Sequence, residues 1–249
     1  MSQIASPQNP RLKAVRHLHS KRGRARAGAF LAEGEDLIAA ARRAGRPALE
    51  GYRLAGSGLG DDGFHDVERA ALASVSALGS GTRVLAVYEQ RWAPAAGPLC
   101  VYLHRVGDPG NVGTVLRSAE AFGASCVALG PGCADPHGPK AVRASMGAIF
   151  TVALARVNDI AELPGTRVAL AADATELLRG PSAEELTLLI GSERDGLSQD
   201  VLAACERTAR IPIASDSLNA AMAATVALYE MTRGPHRGPA RLNDTVPAS

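Results

Sequence analysis

The sequence predicts an α/β protein of two units, a small N-terminal one and a larger C-terminal one built on a parallel sheet. Three observations predict it. From residue 99 onward short apolar runs alternate with helical patterns, the arrangement in which helices cover both faces of a parallel sheet. RWAPAAGPL at 91–99 gathers two prolines and a glycine between two strand-like runs, which marks a linker. At 249 residues the chain exceeds the usual single-domain size of roughly 100–150. The division that fits is a domain over 1–92, a linker at 93–98, a domain over 99–233 and a tail at 234–249.

Taken in order, residues 9–22 read as a helix with Leu12, Val15 and Leu18 on one side. AGAFLAEGEDLIAAARRAG follows as a strand and an Ala-rich helix that stops at Gly45. Between 51 and 80 periodicity is weak and no order of elements emerges, whereas TRVLAVYEQ at 82–90 reads as a strand. The larger unit runs LCVYLH, a helix at 111–122, SCVALG, a helix at 139–148, IFTVAL and a short helix near 159. It continues with RVALAAD, TLLIGSE, a helix near 198–207 and a final helix at 217–232, which Ser217 or Asp216 would cap. The tail, with three prolines and little apolar content, reads as disordered.

Composition excludes several classes. With 46% apolar and 21% charged residues the chain is globular rather than disordered. No window has the 18 or so uninterrupted apolar residues of a membrane span, and the N-terminus lacks an apolar signal region, so a cytoplasmic protein is expected. Cys100, Cys126, Cys133 and Cys205 form no C-x-x-C pair, which favours reduced thiols, and the Cys133/His137 pair has no further ligands nearby to hold a metal. The net charge of +2 conceals a cluster: Arg11, Lys13, Arg16, Lys21, Arg22, Arg24 and Arg26 all precede the first acidic residue, Glu33. Such a cluster is the footprint of a phosphate-backbone partner, against the plainer reading of a solvated basic arm.

Three stretches can carry chemistry. GDPGNVGTVLRSAEAFGA at 107–124 places Gly107, Gly110 and Gly113 where a strand leads into a helix. Their spacing misses the G-x-G-x-x-G fingerprint and no P-loop signature occurs, which disfavours a nucleotide-dependent oxidoreductase. A glycine-rich helix start can still let a phosphate or carboxylate approach free N–H groups. On that helix Val115, Ala119 and Phe122 form the inner stripe, and the plain role for Arg117 is a surface pair with Glu120. LLIGSERDGLSQD at 188–200 turns on glycines around Glu193 at a strand's carboxyl end, where open α/β sheets place ligands, with Ser198 as the next helix cap. RIPIASDSLNAAMAATVALYE at 210–230 leads from a strand through a polar loop into a helix with a small-residue face suited to close packing.

In this order, N-x-G-x-x-x-R (Asn111, Gly113, Arg117), G-x-E-x-x-G-L (Gly191, Glu193, Gly196, Leu197) and I-P-I…S-L-N (Ile211, Pro212, Ile213, Ser217, Leu218, Asn219) resemble the three motifs of the TrmH/SpoU family of RNA ribose methyltransferases. PKAVRASMGAIF at 139–150 is also similar to that family, and the basic stretch at 9–37 resembles the small substrate-binding domain of its two-domain members. The third motif is short, with only Ala214 to Ser217 between Ile213 and Leu218.

The resemblance implies a C-terminal SPOUT domain with a deep trefoil knot, a smaller N-terminal α/β (L30e-like) substrate-binding domain, and a homodimer with the active site across its interface. It implies transfer of a methyl group from S-adenosyl-L-methionine to a ribose 2′-hydroxyl, foremost in 23S ribosomal RNA. Transfer RNA and a resistance-conferring ribosomal site are the near alternatives. A non-catalytic RNA-binding protein is the alternative of a different kind, disfavoured by the joint presence of Asn111, Arg117, Glu193 and Asn219. By the same resemblance Arg117, Asn111, Glu193, Ser217 and Asn219 are catalytic, and Ala171, Leu189, Ile190, Gly191, Ile211, Pro212, Ile213 and Leu218 hold the cofactor. Arg11, Lys13, Arg16, Lys21, Arg22, Arg24 and Arg143 meet the RNA, and no metal takes part. A guanidinium stays charged, so Arg117 is expected to anchor a phosphate and steady a developing alkoxide rather than act as a free base. The glycines near Asn111 are expected to let a ribose come close to it.

Overall fold

A computed structural model describes residues 3–77, 81–214 and 217–233; Asp216 and the tail at 234–249 lie outside the described residues. Near the N-terminus the expected single helix is two. Helix α1 (Pro10–His17) starts at Asn9, whose side chain accepts from the Arg11 N–H, and α2 (Lys21–Ala27) starts afresh at Ser20, whose hydroxyl accepts from the Gly23 N–H. The second cap interrupts a run that apolar periodicity alone would carry through. Next come β1 (Ala29–Glu33), α3 (Glu35–Arg43), β2 (Glu50–Leu54), β3 (His65–Val67), α4 (Arg69–Ala73) and β4 (Val84–Glu89). They form a four-stranded sheet in the order β1-β4-β2-β3, with β4 antiparallel to both neighbours. The unreadable stretch at 51–80 therefore holds most of β2 together with β3 and α4, elements of three to five residues that are too short to show a period.

The second sheet contains β5 (Leu99–Leu103), β6 (Cys126–Leu129), β7 (Ala153–Arg156), β8 (Thr166–Leu170), β9 (Glu176–Leu177), β10 (Leu186–Ile190) and β11 (Arg207–Arg210). All pairings are parallel and the order is β7-β6-β5-β10-β8-β11-β9. Strands β6 and β10 are buried on both faces, which is why they read as apolar runs, broken only by Thr187, whose hydroxyl donates to the Pro164 carbonyl at 2.7 Å. The connecting helices are α5 (Pro109–Ala121), α6 (Pro139–Ala144), α7 (Gln199–Ala203) and α8 (Ala220–Thr232).

Two helices differ from expectation. The one expected over 139–148 ends at Ala144; Met146 and Gly147 turn to positive φ, and a 3-10 turn covers 148–150. A β-carbon on Gly147 would stand 2.5 Å from that of Ala40 on α3, so the break lets the N-terminal unit close onto this turn. Helix α8 starts at 220 rather than 217, and Asn219 is its cap.

The two units share one apolar cluster, in which Phe30, Ile38 and Tyr88 meet Val112, Leu116, Ile149 and Phe150. Phe150 packs edge-on to Tyr88 at 4.8 Å, and Phe30 lies 4.9 Å from the His137 ring. Arg24, an expected RNA contact, is only 4% exposed and bolts the units together instead. Its guanidinium donates twice to Asp135 Oδ2, at 2.7 and 2.9 Å, and also to the carbonyls of Leu18 and His19. Among the described residues no helix is long and apolar enough to cross a membrane, and no three His, Cys, Asp or Glu side chains cluster to hold a metal.

Gly113 sets the distance between α5 and α6: a β-carbon there would stand 2.3 Å from the Ala141 carbonyl oxygen and 2.7 Å from the Ala144 β-carbon. Gly113→Ala is therefore expected to cost about 1–3 kcal/mol in urea denaturation through overpacking. Burial pushes the His137 imidazole down to about 4 from 6.5; the nearby Asp135 opposes this, and Arg156, Arg24 and Arg46 add to it. Folding thus favours the neutral ring. The unfolded chain binds more protons between about pH 6.5 and 4, so stability falls as pH drops through that window. Measured against the wild type, His137→Asn should flatten this part of the profile.

Candidate active site

The carboxyl ends of β5, β8, β10 and β11 meet along one edge of the sheet, and each expected motif leaves from one of these ends. Beyond β5, Asp108 caps α5: its Oδ1 accepts from the Asn111 N–H at 2.9 Å, and its Oδ2 from Lys140 Nζ at 2.9 Å. The Lys140 hydrogen bond, with the Asn111 N–H second, holds the Asp108 carboxyl below its ordinary value. Asn111 is thereby held by its backbone, leaving its amide group free to reach outward.

Beyond β10 the chain closes a tight loop in which the Gly196 N–H donates to the Ser192 carbonyl at 3.0 Å. Gly191 has no room for a β-carbon, because the Gly196 carbonyl carbon would lie 2.1 Å away, and Gly196 itself sits at φ 63°. The loop presents Glu193 at its exposed tip. The third motif delivers Asn219, whose Oδ1 accepts from the N–H groups of Ala221 and Met222 at 2.9 and 3.3 Å.

These three side chains join in a directed chain. With its oxygen committed to the helix cap, Asn219 must offer Nδ2, which donates to Asn111 Oδ1 at 3.1 Å. Asn111 in turn must offer its own Nδ2, which donates to the Glu193 carboxylate. The cap therefore dictates the orientation of both amides, and the chain ends on the group that can only accept when ionised.

Beside it lies a pocket of about 170 Å³ whose lining includes Ala171, Ile190, Gly191, Glu193, Ile211, Ile213, Ser217 and Leu218. Six of the eight expected cofactor residues thus gather there. Leu189 points to the opposite face of the sheet, in a core cluster with Tyr102 and Leu197, because side chains alternate along a strand. Pro212 lines a neighbouring cavity with Val226 and Tyr229.

Arg117 does not join the chain. Six residues beyond Asn111 it is turned about 240° round α5 and lies about 9 Å along it. It is exposed, without a hydrogen bond or ion pair among the described residues, and Glu120 takes the Thr151 hydroxyl at 2.6 Å instead of pairing with it. Of the expected RNA contacts, Lys13, Lys21, Arg22 and Arg143 are exposed, Arg11 pairs with Glu50, and Arg16 donates to the Pro7 carbonyl. Of the three glycines near Asn111, Gly113 does not open a path to it but serves the α5–α6 contact. Sequence reading missed Asp108 and Lys140. The Asp-Pro start of a helix was a legible cap signal, whereas nothing near residue 140 points to residue 108. It also missed His104, a buried ring with no partner on Nε2 among the described residues, whose backbone N–H donates to the Ile190 carbonyl at 2.8 Å.

The SpoU rRNA Methylase family model matches residues 98–229, and an MRM3-like substrate binding domain model matches 9–56. The chain belongs to the SpoU rRNA methylase family. It is 28% identical to the 23S rRNA (guanosine(2553)-2′-O)-methyltransferase RlmP of Bacillus subtilis, over 93% of this chain and 99% of that one. An AdoMet-bound rRNA methyltransferase from Sinorhizobium meliloti is 30% identical with a TM-score of 0.82, covering 93% of this chain and 97% of that one. The SpoU methyltransferase AviRb from Streptomyces viridochromogenes, in complex with AdoMet, is 28% identical with a TM-score of 0.80, covering 91% and 98%.

Asn219→Ala removes the α8 cap and should cost about 1 kcal/mol in thermal or urea unfolding. Asn219→Asp keeps the capping oxygen and should stay within about 0.5 kcal/mol of the wild type in the same measurement.

Proposed function

We propose that this chain methylates the 2′-hydroxyl of one ribose in 23S ribosomal RNA, using S-adenosyl-L-methionine. The observation that carries the reading is the directed chain Asn219–Asn111–Glu193 beside an apolar pocket at the carboxyl edge of a parallel sheet. The residues present suit the cofactor: Ile190, Ile211, Ile213 and Leu218 offer apolar walls for a purine, small residues at 171 and 191 leave it room, and Glu193 sets a carboxylate at the rim for a sulfonium. When bound, the cofactor supplies a methyl group already activated by its positive sulfur.

The chain's own residues supply position. Asn111, with both amide atoms fixed by hydrogen bonds, has one donor hydrogen and one acceptor lone pair left to orient a ribose. Glu193 keeps Asn111 in place, and Ser217 borders the same pocket. Arg117 anchors a substrate phosphate with two donors and stabilises charge that develops on the attacking oxygen. Because it faces away from its own Asn111, it serves the site of a second copy in a homodimer. Met222, Val226 and Tyr229, exposed along one side of α8, supply an apolar surface for that dimer, and α8 is tied to α5 by the 2.6 Å contact between the Ser118 and Thr225 hydroxyls.

The domain over 1–92 binds RNA through Lys13, Lys21 and Arg22 and is joined by the linker at 93–98. The loops after β8, β10 and β11 form the trefoil knot around the cofactor, and the protein works in the cytoplasm. Mapping ribose methyls on ribosomal RNA from cells with and without the gene tests the reading: one 23S site should lose its methyl, and an unchanged map would sink it. Arg117→Ala should lower methyl transfer by about a hundredfold or more while S-adenosyl-L-methionine still binds in calorimetry. Asn219→Asp turns an acceptor toward Asn111 Oδ1, so it should lose most activity despite its intact cap.

A further inference from the structure

Two cavities meet at Trp92, the chain's single tryptophan, in the seam between the units. One, of about 370 Å³, is lined by Lys21, Arg156, Asn158 and the loop at 129–136; the other, of about 390 Å³, by Arg46, Arg91, His137 and 149–154. Charge in this seam does not balance. Among the described residues, Lys21, Arg24, Arg46, Arg91 and Arg156 make two ion pairs: buried Arg24 takes up Asp135, and Arg91 stands 3.3 Å from Glu89. Lys21 and Arg156 have no carboxylate partner among the described residues. The crowding is felt locally, since burial and then Arg91 lower the pKa of Arg46. Unneutralised cations around open cavities make the electrostatic surface of a polyanion site.

The geometry favours an unpaired base. The Arg156 guanidinium carbon lies 3.9 Å over the centre of the Trp92 ring, and the His137 ring braces that indole edge-on at 5.1 Å. Arg156 is exposed at the end of β7, so its guanidinium is held against the indole while its remaining surface faces the groove. Guanidinium planes and aromatic rings are the platforms on which splayed-out bases stack.

The first of the two cavities also lies on the same edge of the sheet as the directed chain. Leu129 ends β6 and lines the larger unit's side of the first cavity, and β6 is two strands from β10, roughly 10 Å at ordinary strand spacing. On the way stands Arg105, exposed, without a partner among the described residues, and held at φ 56°, a conformation a non-glycine residue adopts at a cost of about 1 kcal/mol. Its side chain lies over Gly132 in the loop that lines the first cavity.

We propose that the seam is a second RNA subsite: an unpaired nucleotide near the methylated one stacks its base on the Arg156–Trp92 pair, while Lys21 and Arg105 meet the adjoining phosphates. This rests on the RNA-substrate reading above. The test titrates single-stranded oligouridylate into the full chain at low salt and reads Trp92 fluorescence, with inorganic polyphosphate of matched charge as the comparison. Oligouridylate should quench Trp92 and polyphosphate should not. Arg156→Gln, a change at an exposed strand end, should weaken oligouridylate binding about tenfold with unchanged S-adenosyl-L-methionine binding. Lys21→Ala should lower the slope of log affinity against log salt by about one. Binding without quenching, equal quenching by polyphosphate, undiminished binding by Arg156→Gln, or no binding by the wild type each overturns the subsite. Failure of the wild-type chain to bind S-adenosyl-L-methionine overturns the methyltransferase reading instead, whatever Trp92 reports.

Discussion

Leu186–Ile190 pairs along its whole length with Leu99–Leu103 on one side, and its first four residues pair with Thr166–Ala169 on the other; the remaining features of the site follow from that insertion. It sets the loop after β10 beside the loop after β5, so Glu193 can reach Asn111 although 82 residues separate them. Because β11 lies just beyond β8, the segment that leads to Asn219 leaves from the same edge. A parallel sheet sends every strand's carboxyl end one way, so residues from distant stretches converge without any local pattern to announce it.

Once the loops are together, polarity rather than proximity organises them. The free N–H groups at the start of α8 take the oxygen of Asn219, and this single choice runs through two amides to a carboxylate. A helix cap, ordinarily a matter of about 1 kcal/mol of stability, here also defines which way the site's donors point. The arrangement connects the packing of α8 on α5 to the chemistry of Asn111, since any shift of the helix start would turn the amides with it.

The seam between the units works differently. Its core is apolar, with Phe30, Tyr88 and Phe150 in one cluster, yet it is fastened by a buried Arg24–Asp135 pair and rimmed by Lys21 and Arg156, which have no carboxylate partner among the described residues. A basic arm read from the sequence as uniformly RNA-facing is thus divided. Arg24 holds the protein together, and Lys21, three residues earlier, lines an open cavity. Helical geometry makes that division, because the buried side of α2 selects one residue of the run and leaves its neighbours to solvent.

Much was legible from the chain alone. Alternating apolar runs and helices determined the α/β class, because a strand buried on both faces is largely apolar. The ordered motifs determined the family resemblance, which the family match over 98–229 bears out. The tertiary structure decided the rest. It split the first helix at Ser20, ended α6 at Ala144 so that Gly147 could meet Ala40, moved the cap from Ser217 or Asp216 to Asn219, and gave Gly113 to helix packing. It also drew Lys140 to Asp108. The Gly113, Gly147–Ala40 and Lys140–Asp108 contacts join residues far apart in the chain, and spacing along a sequence carries information only about neighbours on the same helix or strand.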